Sequence, residues 1–454
     1  MSARAPLFVV FAAIAAMLAV GATSPAEAQQ AAGQGVTAAL LQPLDASEGG
    51  GGGTAGSAGA AASSAAAMVP EQGITVKLGG KETLSIKGFL SATFYAQDAN
   101  FDGGFGNGQN AEWPTANYPS NKWFNGGDVR NSRLTFAFDG PETADGWKMG
   151  ALLETDFFGG FNGAGGFSQQ QAIMRIRLAY TDLSKGGTTL RIGQFWSPFF
   201  GEVPESLSHI AFPLGYGSAG MVGWRFPGVF LYQKLTPKTA KTQMQLDLAA
   251  MEGSWNGPAA GELNNQTFGN VGFRGQFDAK LNFFGKDGAG NAWKLYVAGH
   301  YDQKSLNGVG NAFPAQHGDT SLNGTGAEVG GSYKIGPFLI HGNIYTTKAD
   351  GQNFAALTQF GDIKDTGGWL QLGYDFTKRW SGYVFYGEVN ANRNDVLEWV
   401  GATGRQKNEQ EVAMVEWSLG QYQLGLEWLH DDLTLVNSTK LKGNQIALST
   451  RFFL

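Results

Sequence analysis

Arg133, Arg175, Arg177, Arg191 and Arg225 each sit on the polar side of a short stretch of alternating polarity. Arginine keeps its charge and presents a planar fork of donors that fits a carboxylate or phosphate. If the stretches lie side by side at the strand spacing of about 4.8 Å, the five form one basic patch, and such a patch concentrates anions. Glu154 and Asp156 fall on the same polar face between them. Two readings follow: a wall that favours anions, or structural ion pairs in which the carboxylates neutralise the arginines.

Other candidates carry less chemistry. The segment "SPFFGEVPESLSHIAFPLGYGSAGMVG" holds Glu202 and Glu205 among aromatic residues and prolines; folded inward, it would set negative charge across from the arginines. In "DANFDG", Asp98, Asn100 and Asp102 alternate before Gly103 like the opening of a calcium loop, but the twelfth position is Gln109 where glutamate is needed. A plain surface turn is the alternative. His209, His300, His317, His341 and His430 are scattered, and no serine has a nucleophile-elbow context, so no catalytic site and no cofactor are expected. "GGFGNG" lacks the strand-to-helix setting of a nucleotide loop. The absence of cysteine excludes a disulfide scaffold, cysteine-ligated zinc and thiol catalysis. A net charge of −6 with no clustered basic surface argues against a nucleic-acid partner.

The elements that must position these residues are strands. The 68 glycines and 32 phenylalanines, with only 15% charged residues, suit strands and turns. From Thr83 onward, segments of about ten residues alternate in polarity and end in Gly, Pro, Asn or Asp. Leu84, Ile86, Leu90, Ala92 and Phe94 share one face, with Ser85, Lys87, Ser91 and Thr93 on the other. Short connections alternate with long polar ones, and seven short turns with eight long loops imply sixteen strands. The direction of the apolar face separates a soluble sandwich from a membrane barrel. Trp147, Trp293, Phe338, Trp380 and Tyr422 lie at or just after short turns on the apolar face, where an interfacial girdle belongs. The expected fold is therefore all-β: a sixteen-stranded antiparallel transmembrane β-barrel with short periplasmic turns and long extracellular loops. Closure removes edges that hydrocarbon would not tolerate and leaves an aqueous lumen.

The stretches "NSRLTFAFDGPETADGWKMGALLETDFFGG" and "AIMRIRLAYTDLSKGGTTLRIGQFWSPFFGEVPES" resemble the sixteen-stranded outer-membrane porins of the DcaP type, and also the phosphate-selective porins. The resemblance implies a homotrimer, a third loop folded into the lumen, and passive uptake of small hydrophilic solutes, often anionic. DcaP-type porins carry a coiled coil before the barrel; here a Gly/Ala/Ser tract stands in its place.

Residues 1–28 read as a signal peptide cut after Ala28, residues 29–72 as a low-complexity periplasmic tether, and 73–454 as the barrel. The chain is expected in the outer membrane of a Gram-negative bacterium, against lipid and lipopolysaccharide. "NQIALSTRFFL" reads as the closing strand; by the resemblance it also addresses the assembly machinery. Two rivals remain at this level: a transporter of hydrophobic solutes, which needs a plugged lumen and an apolar port, and a non-transport anchor or receptor, which needs a closed lumen.

Overall fold

Alternating sequences fold here into one closed sheet, because each strand offers an apolar row to one side and a polar row to the other. The computed structural model describes residues 73–80, 82–102, 112–115, 123–159, 172–252, 273–305 and 321–454. The segments assigned to signal peptide and tether lie outside the described residues. Sixteen staves make the barrel. They begin with β1 (Glu82–Gln97), β2 (Phe124–Asp128, resuming as Arg133–Glu142), β3 (Lys148–Asp156), β4 (Arg175–Lys185), β5 (Thr188–Trp196), β6 (Arg225–Lys234), β7 (Thr242–Met251) and β8 (Phe273–Lys286). The second half comprises β9 (Ala292–Ser305), β10 (Ser321–Ile335), β11 (Phe338–Lys348), β12 (Lys364–Asp375), β13 (Trp380–Ala391), β14 (Arg405–Leu419), β15 (Tyr422–Leu435) and β16 (Lys440–Phe453).

Every neighbour is antiparallel, and β1 closes the ring by pairing β16 from Phe89↔Phe453 to Gln97↔Gln445 while pairing β2 on its other side. Outward rows are apolar and exposed: Phe94 at 65%, Phe277 at 55%, Val384 at 54% and Leu426 at 55%. A face of this size left in water would forfeit about 25 cal/mol for each Å² of it, so lipid is its solvent. The girdle residues stand where the turns meet that face, with Phe338 and Trp380 exposed and Phe338 against Tyr374 at 4.6 Å. Towards the long-loop end the outward rows turn polar, with the ion pairs Lys442–Asp432 at 2.6 Å and Lys407–Glu409 at 3.0 Å. That change marks the edge of the apolar band.

One strand lies before the expected start. Ile74–Gly79 forms a hairpin with the beginning of β1, Ile74↔Ile86 to Gly79↔Glu82, and leaves Ile74, Val76 and Leu78 exposed. Its turn residues Gly79 and Gly80 have φ of 139° and 54°, values that side-chain-bearing residues avoid.

Candidate functional site

Among the described residues, the third and sixth long connections fold into the lumen. Every residue from 197 to 223, the third long loop, is buried. The loop is tied all round the wall because its backbone polar groups need partners once buried. Asn131 donates to the Ser208 carbonyl at 2.8 Å, Lys280 of β8 to the Phe200 carbonyl at 3.0 Å, and Gln371 of β12 to the Glu205 carbonyl at 2.9 Å. In return the Gly215 amide donates to Gln410 of β14 at 2.8 Å. Ser206 and Ser208 donate to Glu427 of β15, whose other contact is His209 Nδ1 at 2.9 Å. At the tip the loop lies flat on the wall: a Cβ on Gly220 would stand 2.3 Å from the Gly368 backbone, and one on Gly387 2.0 Å from the Ala219 carbonyl oxygen.

The sixth long loop, residues 349–363, joins it, although its sequence reads as an ordinary polar connection. Phe354 packs on Tyr216 at 4.6 Å and on Trp224 at 5.0 Å, and the Gly223 amide donates to the Asn353 carbonyl at 2.8 Å. The lumen therefore holds an aromatic cluster that strand alternation does not reveal, including Trp196, Phe200, Phe212, Tyr216, Trp224 and Phe354.

The arginines lie inward, as parity requires, but they do not all meet. Arg177 gives Nε to Glu154 at 2.8 Å and Nη1 to Asp156 at 2.9 Å. Arg175 grips Asp156 with Nε at 3.0 Å and Nη2 at 2.6 Å. Arg133 stands 3.9 Å from Glu154. Arg225 packs its guanidinium on Trp224 at 4.2 Å and Trp196 at 4.9 Å, and the charges it faces include Arg175, Arg177 and Asp156. Arg191 belongs elsewhere: it forms a two-pronged pair with Asp182, both bonds 2.8 Å, against the face of Tyr180 at 3.6 Å. The patch is therefore four arginines against two carboxylates: Arg175 and Arg177 are paired with them, and positive charge is left over.

That arrangement predicts a stability effect. Arg177→Gln leaves Glu154 and Asp156 buried with less counter-charge, and breaking a buried pair from one side costs about 3 to 5 kcal/mol. The refolded barrel should lose its fold at a lower guanidinium concentration; an unmoved midpoint would show that the pair is not structural.

The two loop glutamates do not oppose the arginines as free charges. Glu202 pairs with Lys294 of β9 at 2.5 Å, and the Glu205 amide donates to Gln371 of β12 at 2.7 Å, on the arc of wall facing β4. Burial works against the charged form of Glu202, but Lys294 outweighs it and holds the carboxyl below its usual range. Burial first, and then the Glu416 carboxylate, push Glu205 well above that range. The resemblance to DcaP-type porins implies a third loop in the lumen; it contains no information on which wall the glutamates reach.

The calcium-like spacing is also put to another use. Asp98 accepts from the Asn444 amide at 2.6 Å and its Nδ2 at 2.8 Å, while Asn100 donates to Thr115 at 3.2 Å. Asp102 pairs in register with Trp113 in a short two-stranded strap, and Gln109 lies outside the described residues. Asp98 is held against Asn444 of β16, and Asn100 and Asp102 pair with Thr115 and Trp113, so the spacing is that of an extended strap. His341 bonds Gln371 at 2.8 Å and His430 bonds Asn444 at 3.0 Å, both as wall residues; His317 lies outside the described residues.

A sequence model described as "Gram-negative porin" matches residues 53–395. The chain belongs to that family. Among solved structures, this porin superposes on the outer membrane channel DcaP of Acinetobacter baumannii with a TM-score of 0.62 at 16% identity, covering 84% of this chain and 99% of that one. It superposes on an anion-selective porin from Comamonas acidovorans with a TM-score of 0.51 at 13% identity, covering 82% and 100%. No curated protein matches the chain in sequence. At such identities the likeness is one of fold: a sixteen-stranded outer-membrane barrel, which is a channel architecture.

Proposed function

We propose that this porin is a homotrimeric diffusion channel for small hydrophilic solutes that favours anions such as dicarboxylates or phosphate. One observation carries the preference. Among the described residues, the carboxylates paired with Arg133, Arg175 and Arg177 are Glu154 and Asp156, and all three guanidinium nitrogens of Arg133, with Nε and Nη1 of Arg225, have no hydrogen-bond partner. These nitrogens are buried, so the surplus acts on a passing carboxylate or phosphate through its field rather than by contact, and raises the local concentration of anions. A cation meets an excess of like charge there.

The partners that accompany this reading are outer-membrane lipid and lipopolysaccharide on the outward face, two further copies of the chain, and the assembly machinery at β16. The reading of a hydrophobic-solute transporter is less well supported, because the lumenal aromatic rings are engaged with each other and with the two inward loops.

Planar-bilayer recording under a salt gradient tests the proposal. The zero-current potential should carry the sign of anion preference, and more strongly at 0.1 M salt than at 1 M, because the screening length shortens from about 10 Å to about 3 Å. Cation preference at every salt concentration, or no channels from folded protein, would sink it.

A further inference from the structure

A second cluster of charged groups lies away from the arginines, where both inward loops meet the wall at β8 and β9. His300 is its centre and is buried. Its Nδ1 bonds Asp278 at 2.6 Å, and the other oxygen of Asp278 accepts from Ser197 and from the Phe199 amide of the third loop. Nδ1 is thus committed as the donor, which leaves Nε2 to act as a ligand. A carboxylate that holds the far nitrogen of an imidazole in this way is the usual support for a metal-binding histidine.

Nε2 faces Asp302 Oδ2 at 3.0 Å and Asp350 Oδ1 at 3.3 Å, and among the described residues these three side chains converge tightly enough to share one ion. A single proton on Nε2 serves one acceptor well; here two carboxylates compete for it. Ligands at about 2.1 Å from an ion stand about 3.0 Å apart in an octahedral array and about 3.4 Å apart in a tetrahedral one. The two separations fit the edges of such a polyhedron.

A second observation points the same way. Asp350 Oδ2, Gln352 Oε1 and Asn353 Oδ1 are buried and have no hydrogen-bond partner, while the Gln352 amide donates to Asp302 Oδ2 and the Asn353 amide to Asp350 Oδ1 at 2.8 Å, both within 3.5 Å of His300 Nε2. The oxygen and nitrogen of an amide exchange by a flip; without a cation the nitrogens face the carboxylates, and with one between them the flip gives up those two bonds and turns both oxygens to the same point. Lys304 donates to Asp302 Oδ1 and to the Ala349 carbonyl, which leaves Asp302 Oδ2 on the cluster side, where it accepts from the Gln352 amide. Asp278, Asp302 and Asp350 are then balanced by Lys304 and one divalent cation.

We infer that His300, Asp302 and Asp350 form a site for a divalent transition-metal cation that fastens the sixth loop to the wall. Imidazole with two carboxylates suits zinc, iron or manganese better than calcium. The ion spans two elements, because His300 and Asp302 belong to β9 while Asp350 opens the sixth loop. Its attachment point lies beside backbone under strain: Ala349, Phe354, Ala356, Leu357 and Thr358 have φ between 51° and 62°.

The test uses the full-length barrel in detergent, stripped with chelator and titrated with Zn²⁺ by calorimetry, with Co²⁺ absorption as a second probe. The expected result is one Zn²⁺ per chain, a Co²⁺ spectrum that Zn²⁺ abolishes, and at least a thirtyfold loss of affinity in both His300→Gln and Asp350→Asn. His341→Gln, outside the cluster, should bind as before. Asp350 lies outside the strands, so its variant keeps the barrel pairing, and unboiled electrophoretic mobility confirms that each variant is folded. No stoichiometric uptake by the native chain, or uptake retained in both folded variants, overturns the assignment.

Discussion

Replacing Arg175 and Arg225 together by glutamine lowers the ratio of anion to cation permeability about tenfold. The two substitutions remove the surplus and leave Arg133 and Arg177 against Glu154 and Asp156. Asp156 keeps a bond to Arg177 at 2.9 Å, so the buried pair that holds β3 to β4 survives. A unit charge about 5 Å from a permeating ion is worth about 0.8 kcal/mol even in water, and more in a confined lumen. Two such charges reach about 1.5 kcal/mol, a factor of ten in a partition constant. The zero-current potential in bilayers reads the change directly. Arg191→Gln serves as the contrast, since Arg191 belongs to its own pair with Asp182; it should leave the ratio where it was. A double variant with the native ratio would mean that the arginine cluster is structural throughout.

Choice of position matters in this test, and the sequence alone would have misdirected it. Parity placed all five arginines inward, which the structure shares, because alternation with period two is forced wherever one face of a strand meets lipid. Parity does not report partners. Arg177 looks equivalent to Arg175 two residues away, yet Arg177 is fully buried between two carboxylates while Arg175 remains 16% exposed beside one. Substituting Arg177 confounds selectivity with folding; substituting Arg225 does not, since its packing is on the faces of Trp196 and Trp224.

The strands were legible for the same reason that the lumen was not. Turn residues and alternation are local, so the sixteen staves and the outward girdle at Trp147, Trp293, Phe338, Trp380 and Tyr422 could be placed from neighbours in the chain. The strand Ile74–Gly79 had the same signal in Ile74, Val76 and Leu78, but it is short and borders the low-complexity tract. Loops that fold inward are fixed by contacts between residues far apart in sequence. Glu205 meets Gln371, and Phe354 meets Tyr216. One signal for the sixth loop was present: "NFAALTQF" is too apolar for a loop that stays in water, and Ala355 and Leu357 are fully buried.

Excising residues 351–361 and joining Asp350 to Asp362 through two glycines raises the single-channel conductance several-fold. The chain can be closed there, because the Ala349 amide already donates to the Ile363 carbonyl at 3.0 Å, so β11 and β12 arrive side by side at a spacing that a two-residue turn spans. Removing the segment takes Phe354 from the faces of Tyr216 and Trp224 and Leu357 from the buried cluster that includes Phe199 and Val222 of the third loop, opening the section in which both loops now stand. Stability should move far less than conductance. Phe354 and Leu357 each contribute about 1.5 to 3 kcal/mol of burial, but the excised piece also includes four side-chain-bearing residues in the left-handed region, at about 1 kcal/mol or more apiece. These contributions oppose each other, and the third loop keeps its own bonds to Gln371, Gln410 and Glu427. A wider lumen also places the arginine surplus farther from the ion path, so the anion preference should weaken as the conductance rises. Unchanged conductance in a folded excision variant would place the flow-limiting section at the third loop alone and remove the sixth loop from the account of the channel.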